Sequence, residues 1–181
     1  MRGATGRGPE GFDAFVGARY PALVRLGTLL LGDRHHGEDI AQLGLVAVLR
    51  AWRRLHPDGD PEAYARVVMT RLAAKAGRRR WRGELPTENL PEVPAADPYA
   101  GVDDADAARR LLSSLPAHQR ITLVLRFWLD YSEKQTATAL GCSEGTVKSR
   151  THRALTQLRA DLPTQAPAAT SSRSATTGGH P

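Results

Sequence analysis

Apolar residues recur at helical spacing wherever this chain has something to bury. Phe12, Phe15, Val16, Leu23, Leu26 and Leu30 predict a first helix, with Pro21 as a kink or break. A second helix is predicted after Asp33, with Ile40, Leu43, Ala47 and Leu49 on or near one apolar stripe and Glu38, Asp39 and Gln42 on another face. In GDPEAYARVV, Asp60 can cap a third helix, Pro61 suits its first position, and Glu62 favours the positive end of its dipole. That helix is predicted to reach about Arg82.

The pattern then breaks. Glu84 to Asp106 holds seven acidic residues, four prolines and no Lys or Arg, the composition of a linker. Periodicity returns near Asp103 with Leu111, Leu112 and Leu115, and Pro116 opens a helix carrying Ile121, Leu123, Val124, Leu125 and Phe127, a small second core. Trp52 and Trp128 are assigned to the two cores. In YSEKQTATALG, Ser132 and Gln135 have the spacing of a capping box, and Gly141 can take the left-handed turn that closes the helix. Ser143 caps a last helix to about Leu162, with Val147, Ala154, Leu155 and Leu158 inward. The expectation is an all-α chain of two small bundles joined by a flexible acidic linker. Its segments are a disordered start (1–9), a first bundle (10–83), the linker (84–104), a second bundle (105–162) and a disordered tail (163–181).

Charge narrows the partners. A formal net charge of +6 favours a polyanion, either nucleic acid or an acidic membrane surface. No apolar run approaches the roughly 20 residues that span a bilayer, and Met1 to Gly11 lacks a signal-peptide core, so no membrane insertion and a cytoplasmic location are expected. Cys142 is the sole cysteine and is read as a small buried apolar residue; the histidines lack ligand spacing. No metal, cofactor, nucleophile–base pair or phosphate loop is expected, which points away from an enzyme.

LGCSEGTVKSRTHRAL, Leu140 to Leu155, is where the charge becomes specific. Two helices joined by a short Gly-containing turn form a helix-turn-helix, whose second helix enters the major groove by its first turns. Ser143, Thr146 and Ser149 are short hydroxyl residues that let a backbone approach phosphate, and Lys148, Arg150 and Arg153 supply cations for base edges and phosphates. A plain helical hairpin with a solvated basic face is the bland alternative. It predicts acids balancing the cations at i+4, yet only Glu144 and Asp161 are acidic between Ser143 and Leu162.

A second cationic surface lies upstream. Arg66 to Arg82 holds seven basic residues and no acid, a density that phosphates would relieve. Trp81, among those arginines, suits either stacking on an unpaired base or closing the core.

These stretches together resemble the extracytoplasmic-function group of bacterial sigma factors. LPAHQRITLVLRFWLDYS and YSEKQTATALGCSEGTVKSRTHRAL are similar to the group's C-terminal DNA-reading domain. GEDIAQ is similar to its acid-x-x-Gln signature, and AWRRL with DPEAYARVVMTRLAAKAGRRRWRGE to its promoter-melting helix. The likeness covers about Glu10 to Leu162 in order.

The resemblance implies two partners, core RNA polymerase and promoter DNA. It puts Asp39 and Gln42 on the polymerase-docking face, and Arg66, Arg71, Lys75, Arg78, Arg79, Arg80 and Trp81 at the minus 10 element. It puts Ser143, Thr146, Lys148, Ser149, Arg150 and Arg153 at the minus 35 element, and the His56 to Asp60 loop where a flipped base is held. It also allows an anti-sigma partner covering the docking face. The acidic segment reads either as a solvated spacer or as a mimic of nascent RNA charge. Thr151 stands where the group usually has an aliphatic residue, Thr70, Arg71 and Lys75 depart from its melting-helix pattern, and Gly44 interrupts the second helix. The competing reading is a stand-alone helix-turn-helix regulator that binds duplex DNA without polymerase.

Overall fold

The computed structural model describes residues 9–55, 58–81 and 103–161. These form seven helices and a π-helical turn, with no strand among the described residues. In chain order the helices are α1 (Phe12–Leu31), α2 (Arg34–Leu55), α3 (Pro61–Trp81), α4 (Asp103–Ser113), α5 (Ala117–Leu123), α6 (Glu133–Leu140) and α7 (Glu144–Asp161); the π turn, Val124–Trp128, follows α5 directly.

Helices α1, α2 and α3 form the first bundle. α1 runs unbroken through Pro21, against the expected break. Proline costs a helix the hydrogen bond to residue i−4, here Gly17, and both residues are exposed, so solvent can serve the freed carbonyl. As one 20-residue helix, α1 is long and apolar enough to cross a membrane by length and composition, contrary to the absence of such a run expected above. Its Leu23, Leu26, Leu29 and Leu30 are instead buried against α2 and α3. It ends at Gly32, whose φ of 79° is left-handed and whose N–H donates to the Thr28 carbonyl at 2.7 Å.

Asp33 opens α2, accepting from the His36 backbone N–H at 2.8 Å and pairing with the His36 ring. Burial raises the Asp33 carboxyl pKa, but the hydrogen bonds from His36 and the charges of His36 and His35 outweigh it and hold the pKa below its ordinary value. α2 packs on a different phase from the one predicted. Ile40, Ala41, Leu45, Val48, Ala51 and Trp52 are buried, while Leu43 (54%) and Leu49 (39%) are exposed. Gly44 lies on the buried side, where a Cβ would stand 3.0 Å from Met69 Cγ; the glycine lets α3 approach closely. Trp52 meets its core assignment. Phe12 packs edge-on against it at 5.2 Å between centroids, and its indole N–H donates to the Glu10 carbonyl at 3.0 Å.

Asp60 caps α3 as expected, accepting from the Ala63 N–H at 2.9 Å. Residues 84–102 of the predicted linker lie outside the described residues, whereas Asp103, Asp104 and Asp106 belong to α4. Carboxylates in the first turn suit the helix dipole, which explains why the helix starts inside the acidic run.

The second bundle does not keep a wholly separate core. Ile121, Val124, Leu125 and Leu140 join the same buried cluster as Leu23, Val48 and Met69, and among the described residues Leu115, Leu123 and Ala154 form a smaller buried satellite beneath α7. Phe127 (63%) and Trp128 (50%) are exposed, against their core assignment. The π turn is the reason: the Leu129 N–H reaches back five residues to the Val124 carbonyl at 3.0 Å, and the wider turn shifts the angular phase of the residues within it.

Candidate nucleic-acid interface

Local chemistry builds the helix-turn-helix. Ser132 Oγ accepts from the Gln135 N–H at 3.1 Å while Gln135 Oε1 accepts from the Ser132 N–H at 2.7 Å, a complete capping box. Gly141, at φ 63° and ψ 44°, ends α6 in the left-handed turn predicted for it. Ser143 Oγ then accepts from the Thr146 N–H at 3.1 Å and starts α7. Val147 and Ala154 anchor α7 from beneath.

The predicted reading residues separate into three groups. Ser143 is the cap, and its hydroxyl also meets that of Thr146 at 2.9 Å. Lys148 is exposed and pairs with Glu133 of α6, Nζ to Oε2 3.5 Å. Thr146, Ser149, Arg150 and Arg153 follow an i, i+3, i+4, i+7 stripe along one wall of a cavity of about 360 Å³. The opposite wall includes Ala74 and Gly77 of α3, and among the described residues no carboxylate lines the space. Cys142 also lines it, half-buried rather than buried, 3.9 Å from Arg150 Nη1.

His118 of α5, read from the sequence only as one of the histidines without ligand spacing, shares this cavity. Burial, then the charges of Arg150 and Arg153, push its pKa below the ordinary 6.5. The burial and the two cations both disfavour the protonated ring. Thr151, on the inner side of α7, has a buried Oγ1 that makes no hydrogen bond with a described residue.

On α3, Arg66 is not the free cation that the acid-free run implied. It pairs with Glu62 one turn earlier, and the same carboxylate holds Arg19 Nε at 3.1 Å. Arg71 and Lys75 are exposed and pair with no described residue. Arg78, Arg79, Arg80 and Trp81 close α3, with side chains outside the described residues, as are Arg82, His56 and Pro57.

Asp39 and Gln42 are exposed on α2, and the structure adds neighbours that the sequence pattern hid. Leu43 (54%), Val46 (42%) and Leu49 (39%) continue the same side of the helix as exposed apolar residues. Their signal was present: α2 has more apolar positions than one buried stripe can hold.

An all-α chain with a completed helix-turn-helix, a second basic helix and an apolar stripe beside an acid and an amide defines a DNA-binding protein equipped for a protein partner. Comparison with known proteins agrees. The sigma-70 region 2 family model matches residues 15–83, and the sigma-70 region 4 family model matches residues 105–158. The RNA polymerase sigma-E factor of Streptomyces coelicolor is 37% identical over 151 residues, spanning 83% of this chain and 85% of the relative. The ECF RNA polymerase sigma factor ShbA of Streptomyces griseus is 38% identical over 144 residues, 72% of this chain and 74% of the relative. In fold, the sigma factor RpoE of Bartonella quintana, solved in complex with the anti-sigma factor NepR, superposes with a TM-score of 0.57 at 24% identity, covering 84% of this chain and 96% of that one. The chain belongs to the sigma-70 family of RNA polymerase sigma factors, in its extracytoplasmic-function group.

Proposed function

We propose that residues 10–83 dock on core RNA polymerase through α2 and open the minus 10 element with α3, and that residues 105–162 read the minus 35 element with α7. The observation that carries this reading is the exposed stripe of Leu43, Val46 and Leu49 beside Asp39 and Gln42. A regulator that needs only duplex DNA has no use for such a face, whereas a polymerase subunit does.

Within this reading Asp39 and Gln42 fix register and orientation against the partner, and the leucines and valine supply buried area. Arg71, Lys75 and the cations that close α3 bind the phosphates of the opened strands, and Trp81 stacks on an unpaired base. Arg66 acts through its ion pair with Glu62 as a brace for α3. On α7, Arg150 and Arg153 reach base edges or phosphates, Thr146 and Ser149 admit the backbone closely, and Lys148 approaches phosphate once released from Glu133. The action is binding and strand opening in the cytoplasm, without turnover and without a cofactor. An anti-sigma partner would compete for the α2 stripe.

A run-off transcription assay with purified core polymerase tests the assignment. Promoter-dependent transcripts are expected with the chain, and their loss is expected when Asp39 and Gln42 are replaced by Arg and Ala. A chain that binds promoter duplex tightly yet starts no transcript with any bacterial core enzyme would restore the stand-alone regulator.

A further inference from the structure

The cavity lined by α3, α5 and α7 has braced walls. Arg120 anchors α5: it is 7% exposed and donates from Nη2 to the Leu31 carbonyl at 2.7 Å, from Nε to the Leu30 carbonyl at 3.2 Å and from Nη1 to the Leu115 carbonyl at 3.2 Å. The first two carbonyls end α1, where a helix leaves acceptors unserved and its dipole favours a cation. Gly32 makes room, since a Cβ there would lie 2.8 Å from Arg120 Nη1. α3 meets α5 across Gly77, where a Cβ would fall 3.5 Å from Ile121 Cδ1 and 3.7 Å from Ala117 Cβ.

The lining of the cavity has two chemistries. Ala74, Ile121 and Leu140 make part of it apolar, whereas Arg150, Arg153 and His118 make part of it polar. Arg150 is half-buried and Arg153 is exposed, so the space opens to solvent beside Arg153. Neither guanidinium pairs with a carboxylate of the described residues. Burial, and after it the charges of Arg150 and Arg153, already disfavour the protonated His118 ring, which places the field of both guanidiniums inside the cavity.

We propose that this cavity binds a small phosphomonoester with an apolar or aromatic body, the phosphate held by Arg150 and Arg153 and the body packed against Ala74, Ile121 and Leu140. Charge selects the head group. A phosphomonoester carries about −1.5 to −2 near neutral pH, enough to match two guanidiniums, whereas a carboxylate matches one. The planar guanidinium fork suits phosphate oxygens, and the short side chains of Thr146 and Ser149 leave room beside it. Size and lining select the rest. About 360 Å³ lies within the range of small-molecule sites, which combine an apolar lining with a few convergent polar groups. The site requires neither polymerase nor DNA, so it stands apart from the minus 10 and minus 35 assignments.

Phenyl phosphate is the probe, added to the full chain without nucleic acid at physiological ionic strength. Calorimetry is expected to show it binding on the order of tenfold or more tighter than inorganic phosphate, because the ring is buried as well as the charge. Two readouts place it in the cavity. An oxyanion beside the ring favours protonated His118, so the pKa of that residue, followed by NMR and assigned by its loss in His118→Gln, is expected to rise. Cys142, the sole cysteine, lines the same space, and its alkylation by iodoacetamide is expected to slow as phenyl phosphate saturates. Arg150→Gln with Arg153→Gln is expected to weaken binding on the order of tenfold or more. Phenyl phosphate that binds no better than inorganic phosphate overturns the proposal, as does binding that leaves both the His118 titration and the alkylation of Cys142 unchanged. Both readouts use the unaltered binding residues, so a misfolded arginine variant does not prevent the decision.

Discussion

Lys148 of α7 and Glu133 of α6 form an ion pair, 3.5 Å from Nζ to Oε2, across the turn of the helix-turn-helix. Both groups are substantially exposed, so the pair adds little stability, about 0.2–1 kcal/mol. Its larger effect is on the availability of Lys148. Glu133→Gln is expected to strengthen duplex binding and to steepen its salt dependence by up to about 0.9 in log–log slope, one further phosphate contact. Binding isotherms across a salt series measure both quantities, and an unchanged slope would mean that Lys148 never reaches the backbone.

The α2 stripe separates function from stability. Leu43 and Val46 are 54% and 42% exposed, so the double change to Ser should alter unfolding free energy by no more than about 0.5 kcal/mol. Affinity for core polymerase should fall on the order of tenfold or more, as when an apolar interface anchor is removed. Denaturant unfolding alongside anisotropy titration with core enzyme checks the pair of outcomes.

Gly27 and Gly37 let α1 and α2 cross at contact distance. A Cβ on Gly27 would lie 2.4 Å from the Gly37 carbonyl oxygen, a backbone atom that cannot swing aside. Gly27→Ala is expected to destabilise the chain by about 1–3 kcal/mol, lowering Tm by roughly 2–4 °C per kcal/mol. Gly44→Ala should cost less, since its nearest neighbour is the flexible Met69 side chain at 3.0 Å.

Thr151 offers the opposite sign. Its buried Oγ1 has no hydrogen-bond partner among the described residues, so replacing the hydroxyl by a methyl removes a desolvated polar group without changing shape. Thr151→Val should stabilise by about 1 kcal/mol in thermal or denaturant unfolding. A loss of stability would show that the hydroxyl is hydrogen-bonded in solution.

His118 sets a pH dependence. Its folded pKa lies below 6.5 through burial and then the charges of Arg150 and Arg153, so below pH 6.5 the unfolded chain binds more protons than the folded one. The stability tied to the neutral ring is fully present above 6.5 and is lost as pH falls through the depressed folded value. Melting temperatures of wild type and His118→Gln are therefore expected to converge on acidification from pH 7.5, and a constant gap would remove the linkage.

What the sequence made legible was local. Asp60, Ser132 with Gln135, Gly141 and Ser143 act on backbone groups within four residues, so the helix starts and stops they mark could be found without the rest of the chain. The phase of α2 is not legible from the pattern because Leu43 and Leu45 are equally apolar, and contact with α1 and α3 decides which is buried. The same holds for Phe127 and Trp128, whose exposure depends on a π turn that carries no strong composition signal. Arg120 escapes the pattern for another reason: besides the Leu115 carbonyl nearby, its acceptors lie 89 and 90 residues away. Spacing marked Thr146, Ser149, Arg150 and Arg153 as candidates but not their gathering along one wall of a cavity, nor the ion pairs that occupy Arg66 and Lys148, since Ala74, Gly77 and His118 come from other helices and Glu62 and Glu133 lie outside the basic stretches.

Arg120 grasps main-chain oxygens, and that choice fixes where variation can weaken the contact between α5 and the end of α1. Every amino acid offers the same carbonyl, so replacing Leu30 or Leu31 leaves the acceptors standing as long as the helix end keeps its shape. Drift at those two leucines is thus nearly invisible to this hydrogen-bonded contact, whose own side-chain requirement falls on a guanidinium and the glycine beneath it.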